Sequence, residues 1–289
     1  LSEIDQHIQT TQVGIELFKD WAMQNEETVN EFAVFPSAYM GLVQEDGSLE
    51  LYEGNLRLVD KSGEHLDTFD PTKYLDYLGE HVNNYTYLKS PFYKKRGYPE
   101  GVYRVGPLGR LNVASHISTP IAQGEMKIWK SLNGGMPVEG TLYFHYARLI
   151  ETIYALERAR ELLEDPVTMK RDVVNPQGPI SGEGVGVLEA PRGTLFHHYW
   201  TDKTGVISKV NMIVATAGNA WSMNHSINLV AKRYVDGNNL TEGMLNRVEA
   251  AIRAHDPCLS CSTHAMGQMP IHIELVSPDG EVVDTAHRD

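Results

Sequence analysis

The sequence predicts a mainly α protein, a helical bundle with β-hairpins at its periphery. Helices are predicted near residues 9–21, 146–163, 221–234 and 242–254, and shorter β-rich runs bounded by Gly- and Asp-containing turns lie between them. A chain of 289 residues buries about three quarters of the surface that it exposes when unfolded, so a large core needs no disulfide support.

The first elements are a helix and a hairpin. Apolar residues between 9 and 21 form an imperfect helical stripe, which is typical of a surface helix with one buried side. The β-rich runs 32–43 and 49–59 flank the turn signal Glu45-Asp46-Gly47, which predicts a hairpin. Residues 61–140 are rich in Gly, Pro, Tyr and Asn, and only a short helix at 74–81 is predicted there. Much of that stretch is predicted to be ordered loop.

The C-terminal half is predicted to be more regular. The helix at 146–163 ends at Asp165-Pro166, because proline cannot continue it. Strand-like runs at 194–200 and 206–216 predict a second hairpin. The helix at 242–254 is expected to end at Asp256, since a residue before proline disfavours the helical conformation. The tail from Ile271 alternates as a small hairpin does.

The charge balance excludes several classes of partner. The chain has 25 Lys and Arg against 38 Asp and Glu, a net charge of −13, and no basic patch, so we expect no nucleic-acid partner. No apolar run approaches the ~20 residues of a membrane span. The first ten residues contain no secretory signal, so we predict a cytoplasmic location. The absent initiator Met predicts a processed or truncated N-terminus.

The two cysteines of the chain, Cys258 and Cys261, have CxxC spacing. This spacing allows the sulfurs to bind one metal or to oxidise to each other, and three interpretations stay open: a redox dithiol, half of a zinc site and a soft-metal centre. A thioredoxin-like dithiol is disfavoured because the motif follows a helix instead of opening one. A structural zinc needs four ligands, of which Cys258, Cys261 and His264 supply three.

A glycine-rich run, SGEGVG at 181–186, superficially suggests a nucleotide loop. It lacks the third glycine at the required offset and opens no βαβ helix. Any dinucleotide chemistry is therefore expected in a partner chain.

The string DPCLSCSTHAMGQMP, residues 256–270, resembles the C-terminal motif of nickel–iron hydrogenase large subunits. GEGVGVLEAPRGTLFHHYW, residues 182–200, resembles a second family element, and SPFYK, GPLGRLN and FHYARLIE are similar as well. The pattern is most similar to the cytoplasmic bidirectional, NAD(P)-linked branch. The resemblance implies a helical-bundle core of the hydrogenase large-subunit type.

The resemblance also implies metal ligands. Cys258 would be a terminal nickel ligand, and Cys261 would bridge nickel to iron in a Ni–Fe centre that carries CO and CN ligands on the iron. His264 would bind Mg²⁺, with a main-chain carbonyl near Met212 as co-ligand. Thr216 would donate a hydrogen bond to a diatomic ligand of the iron.

The same resemblance implies a catalytic arginine. The EAPRG element, with Glu189 and Pro191, would lie beside the metals, and Arg192 would hold its guanidinium over the face where H2 is split. Asp256 would pair with Arg192 and orient it. The parent enzyme would split H2 heterolytically and pass the proton to a thiolate or to Arg192.

Partners and processing follow from the resemblance. Electrons would leave through Fe–S clusters in a small subunit, from which they would pass to diaphorase-type NAD(P) subunits. Nickel-insertion proteins would load the metal, and an endopeptidase would then cut between His264 and Ala265. The chain would therefore comprise a large-subunit region, 1–264, and a removable extension, 265–289.

One departure from the family is substantial. The family's centre uses four thiolates, two of them from an N-terminal CxxC, and this chain has two cysteines in total. We therefore expect the chain to be the C-terminal part of the large subunit, which is inactive as an isolated fragment. The alternative is a non-catalytic module in which CxxCxxH clamps zinc and shapes an interaction surface.

Overall fold

A computed structural model describes residues 1–173, 178–237, 239–263 and 271–288. Helices make up 44% and strands 24%, so the prediction of a mainly α fold is confirmed only in part. The helices are α1 (Ser2–Gln24), α2 (Glu26–Glu31), α3 (Tyr74–Tyr77), α4 (Gly106–Val113), α5 (Pro120–Ser131), α6 (Tyr143–Glu164), α7 (Ala220–Tyr234), α8 (Glu242–His255) and α9 (Leu259–Thr263). The strands are β1 (Ala38–Val43), β2 (Asn55–Val59), β3 (His65–Phe69), β4 (Leu78–His81), β5 (Ser90–Tyr93), β6 (Tyr103–Arg104), β7 (Glu183–Ala190), β8 (Gly193–Thr201), β9 (Ile207–Ile213), β10 (Ile271–Val276) and β11 (Val282–Arg288).

Helix α6 organises the larger helical layer. It packs against α1, α4 and α5, and its buried residues Ile150 and Ile153 join one apolar core with Trp129 of α5. The helix ends at Glu164, as the Asp165-Pro166 signal predicted. The Asp165 carboxylate then accepts a hydrogen bond from the Val167 amide and caps the 3₁₀ turn that follows.

The first predicted hairpin exists but is not peripheral. Strand β1 pairs antiparallel with β2 and parallel with β6, in a four-stranded sheet of order β3-β2-β1-β6. Every residue of β1 is buried. The sheet therefore belongs to the core, which is one reason why the mainly α description is too narrow.

The second predicted hairpin is one part of a three-stranded sheet. Strand β7, which was not predicted, pairs with β8, and β8 pairs with β9. The β7–β8 pairing runs up to Ala190 opposite Gly193, so that Pro191 and Arg192 form the apex of the hairpin. The arginine-bearing segment that the sequence singled out is therefore a tight turn.

The prediction that much of 61–140 is loop is confirmed only in part. This stretch contains α4, α5 and four short strands, and the predicted helix at 74–81 ends at Tyr77, after which β4 pairs with β5. Every residue of helix α4 is buried. The helix has no exposed polar face, so its sequence lacks the periodic polar and apolar pattern from which a surface helix is predicted. Helix α5 did offer signals, since Pro120 opens it and Ala122, Met126 and Trp129 form its buried stripe.

The predicted C-terminal elements are confirmed. Helix α8 ends at His255, the C-cap Asp256 is left-handed at φ 50°, and Pro257 follows. Strands β10 and β11 pair antiparallel, as the alternating tail predicted. The predicted cut between His264 and Ala265 lies outside the described residues. Within the described part of the chain, no helix has the length and apolar character that a bilayer span requires.

The buried His255 at the end of α8 predicts a pH-dependent stability. Burial lowers the pKa of its imidazole to about 4 from the ordinary 6.5, while Nδ1 donates to the Ala251 carbonyl at 3.0 Å. As the pH falls, the His255 imidazole is therefore protonated near pH 6.5 in the unfolded chain but only near pH 4 in the folded chain. The free energy of unfolding is expected to fall over this window by on the order of 3 kcal/mol.

Urea unfolding of the wild type and of His255→Phe, measured across pH 4 to 7, checks this expectation. The phenylalanine keeps an aromatic ring against Phe144 but cannot be protonated. The variant should lose less stability on acidification than the wild type. Equal pH slopes in the two proteins would contradict the role assigned to His255.

Candidate metal centre

The cysteine motif lies in a sharp connection between α8 and α9. The Cys258 amide donates to Thr216 Oγ1 at 3.1 Å, and Thr216 is buried in the 3₁₀ turn Ala215–Asn219 that precedes α7. Cys261 lies in α9, which begins at Leu259, so the motif both follows one helix and enters another. The argument that the motif only follows a helix was therefore incomplete.

The two sulfurs lie at one point. Cys258 and Cys261 are joined as a disulfide, with their Cα atoms 5.4 Å apart. Both side chains therefore point to the same place, as the CxxC spacing predicted. In reduced form the pair presents two thiolates to one metal.

The arginine predicted over the metals reaches this motif. Arg192 Nε donates to the Asp256 carbonyl oxygen at 2.5 Å and lies 3.3 Å from Oδ2 of the same residue. Nη2 lies 3.4 Å from Oδ1. The hairpin apex and the cysteine loop are thus joined two residues before Cys258. The roles of Arg192 and Asp256 in catalysis stay predictions.

Tight packing fixes the backbone around Arg192. Gly193 has φ 147°, and a Cβ there would lie 2.3 Å from Val105 Cγ2 and 2.8 Å from the Ala215 carbonyl oxygen. A Cβ on Gly106, the first residue of α4, would lie 2.9 Å from the Arg192 carbonyl oxygen. Both glycines are therefore required by the close approach of three segments.

Glu189, predicted beside the metals, is held in the interior. Its carboxylate accepts from the Leu42 amide at 3.0 Å, from Thr194 Oγ1 at 2.8 Å and from Arg110 Nη1 at 2.8 Å. Burial raises the pKa of this carboxyl, and the three donors oppose that rise. The contacts of Glu189 are to protein, and its place among cofactor-binding residues stays a prediction, as does that of Pro191.

Sequence reasoning missed Arg110 and Glu151. Arg110 is buried and forms a two-pronged ion pair with Glu151, in which Nε and Nη2 donate to the two carboxylate oxygens at 2.6 Å each. Each residue is a charged position inside a quoted motif, GPLGRLN or FHYARLIE. A buried charge almost always has a partner, but the sequence does not show that α4 is buried, so the motifs single out both residues without pairing them.

The predicted magnesium region can be described only on one side. Met212 lies in β9, and its Sδ accepts from the Tyr199 hydroxyl at 3.8 Å. Met212 and Ser262 line one cavity of about 330 Å³, together with Glu80 and Asn211. His264 lies outside the described residues. The cavity brings the end of the cysteine motif beside Met212, and the magnesium site itself stays a prediction.

The ligand set is incomplete within the described ranges. Residues 1–173, 178–237, 239–263 and 271–288 contain no cluster of three or more His, Cys, Asp and Glu side chains that could hold a metal ion. Those ranges therefore supply the two sulfurs of Cys258 and Cys261 and no third ligand beside them.

The sequence matches known hydrogenases along its length. The nickel-dependent hydrogenase family model matches residues 5–264. The chain is 41% identical to the beta subunit of the NAD-reducing hydrogenase HoxS of Cupriavidus necator, over 100% of this chain and 60% of that protein. It is 46% identical to a subunit of the F420-non-reducing hydrogenase vhu of Methanococcus voltae, over 80% of this chain and 55% of that protein. The chain thus spans only part of the length of these relatives.

Solved structures agree with this match. The structure of an NAD⁺-reducing [NiFe]-hydrogenase in the H2-reduced state superposes with a TM-score of 0.86 at 36% identity, over 91% of this chain and 58% of that one. The Ni-Fe-Se hydrogenase of D. vulgaris Hildenborough shares the fold, with a TM-score of 0.58 at 22% identity, over 83% of this chain and 55% of that one. The chain therefore belongs to the nickel-dependent hydrogenase family.

Proposed function

We propose that this chain is the C-terminal part of the large, catalytic subunit of an NAD(P)-linked nickel–iron hydrogenase that cleaves H2 reversibly. One observation carries the proposal: Arg192 is fixed to Asp256, two residues from a pair of sulfurs that meet at one point. The similarity to an NAD-reducing hydrogenase subunit supports the NAD(P)-linked type.

The donor chemistry suits a nickel–iron centre. Thiolates are soft ligands, and Cys258 and Cys261 would hold the metals from one side. The remaining thiolates would come from the N-terminal part of the full-length subunit. Thr216 already accepts the Cys258 amide, and its hydroxyl keeps a hydrogen to donate to a CO or CN ligand of the iron. Mg²⁺ would bind His264 and the Met212 carbonyl.

Arg192 would act as a fixed cation at the reacting face. When bound, the nickel–iron centre supplies the redox-active Lewis acid at which H2 is polarised and split. The Arg192 guanidinium would stabilise the negative charge beside the thiolates through its N–H groups, and the proton from H2 would pass to a thiolate. Asp256 orients the guanidinium and balances its charge, so that the donor geometry exists before H2 arrives.

Electron transfer and maturation would involve other chains. Electrons would leave through Fe–S clusters of a small subunit to diaphorase-type subunits that reduce NAD(P)⁺, in the cytoplasm. Nickel-insertion proteins would load the centre, and an endopeptidase would remove residues 265–289 after His264.

The test is metal analysis and H2 oxidation in the complete, co-matured complex. We expect H2-dependent reduction of NAD(P)⁺, with nickel and iron bound in the full-length subunit. Zinc at one equivalent with no nickel, and no H2 uptake, would instead support the zinc-clamped interaction module.

A further inference from the structure

A buried arginine holds the hairpin that presents Arg192. Arg110 of α4 is 2% exposed, and its Nη1 donates to the Ala190 carbonyl oxygen at 2.9 Å. Its Nη2 donates to the Pro191 carbonyl oxygen at 3.1 Å. These are the two peptide carbonyls immediately before Arg192. The Arg110 guanidinium therefore holds the apex of the β7–β8 hairpin by its main chain.

The other donors of Arg110 tie this grip to the core. Nε and Nη2 bind the Glu151 carboxylate of α6 at 2.6 Å, and Nη1 binds the Glu189 carboxylate of β7 at 2.8 Å. All five N–H groups of the guanidinium therefore have an acceptor. A planar fork with five directed donors holds its acceptors in one geometry, which a lysine ammonium cannot reproduce.

Helix α6 reaches the cysteine side as well. Arg148, one turn before Glu151, donates from Nη2 to the Ala254 carbonyl oxygen at 3.0 Å, at the end of α8. Helix α6 thus bonds through Glu151 to the arginine that holds the Arg192 hairpin, and through Arg148 to the end of α8 just before Asp256.

We propose that Arg110 is a positioning residue for Arg192, acting through the carbonyls of Ala190 and Pro191 and braced on α6 by Glu151. This inference rests on the proposed function only for its effect on turnover. Its structural content, that Arg110 fixes the hairpin apex, holds independently of the reaction.

The chain offers a matched control in Arg104. This arginine is also fully buried, and it donates to Ser37 Oγ, to the Glu139 and Phe35 carbonyls and to the Tyr39 hydroxyl at 2.7–2.8 Å. None of these acceptors belongs to the β7–β8 hairpin. Arg104→Lys therefore disturbs a second buried arginine, whose acceptors are all neutral, and removes no hydrogen bond to the apex.

The experiment is a double-mutant cycle in the full-length, nickel-loaded complex. Arg110→Lys is expected to lower kcat for H2 oxidation about 10- to 100-fold with little change in KM, because a small displacement of a catalytic group is costly. In an Arg192→Lys background it should cause less than a further threefold loss, since the group that it positions is already gone. Arg104→Lys should give the same fold-change in both backgrounds.

A second readout is independent of turnover. Hydrogen exchange at the backbone amides of 189–194 should accelerate in Arg110→Lys and stay at the wild-type rate in Arg104→Lys. If Arg110→Lys yields no nickel-loaded complex, Glu151→Gln takes its place. This substitution changes the partner of Arg110 on α6 and leaves Arg110 itself intact, and hydrogen exchange at the same amides should again accelerate.

The outcomes separate the two hypotheses. Unchanged exchange at 189–194 overturns the positioning role of Arg110, and so does an equal loss of kcat in both backgrounds. Wild-type turnover of Arg192→Lys would overturn the catalytic assignment of Arg192 in the proposed function, and the exchange rates would then decide the positioning role alone.

Discussion

Cys258→Ser in the full-length, co-matured complex is expected to abolish nickel retention and H2 uptake. Replacing sulfur by a hydroxyl removes a soft, anionic ligand, because a serine hydroxyl stays protonated at neutral pH and binds soft metals poorly. Two sulfurs come from this loop, so the variant loses half of the thiolates that the loop supplies. Elemental analysis of the purified complex measures the effect directly.

Ser260→Ala is the matched control for this variant. Ser260 is exposed in α9 between the two cysteines, and its hydroxyl lies 4.0 Å from Cys258 Sγ. The substitution changes the loop but leaves both sulfurs in place, so nickel content and H2 uptake are expected to stay at the wild-type level. Normal nickel in Cys258→Ser would refute the assignment of this cysteine as a ligand.

The candidate site residues could be named from the sequence because they cluster in short motifs. Cys258 and Cys261 share one turn, and a proline after Asp256 predicts the end of α8, where the structure has a left-handed residue. Local rules of backbone geometry are sufficient for such positions. The pairing of Arg192 with Asp256, by contrast, joins residues 64 apart in the chain, and only the family resemblance predicted it.

The elements that support the site were harder to predict. Helix α4 is buried on every side, and β7 reads as a glycine-rich loop, so neither shows the period of its structure. The bonds from Arg110 to the hairpin carbonyls are long-range contacts with main-chain atoms, and a carbonyl carries no residue-specific signal in the sequence. Support of this kind is set by tertiary packing, which local patterns do not record.

Arg192→Lys is expected to leave nickel loading intact and to reduce turnover on the order of 100-fold, the loss typical of removing one preorganised donor from a reacting centre. Because lysine keeps the positive charge, a loss of turnover would show that the position of the charged group matters, and not only its charge. Its single ammonium cannot bond the Asp256 carbonyl and carboxylate in the plane that the guanidinium occupies.

Arg253→Lys provides the comparison at the end of the same helix. Its side chain is 73% exposed and pairs with Glu249 one turn away at 3.1 Å, so turnover should stay at the wild-type value. Single-turnover and steady-state H2 oxidation, with nickel measured on the same samples, separate lost chemistry from lost metal.

The direction of any partial effect in Arg192→Lys is informative as well. If the arginine acts on the reacting face, kcat and kcat/KM fall together, because the lost interaction exists mainly in the transition state. If Arg192 merely closes the loop against Asp256, nickel content and thermal stability fall while the turnover per nickel atom is preserved. Wild-type turnover per nickel would therefore remove Arg192 from the mechanism and leave it a structural tie between the β7–β8 hairpin and the cysteine loop.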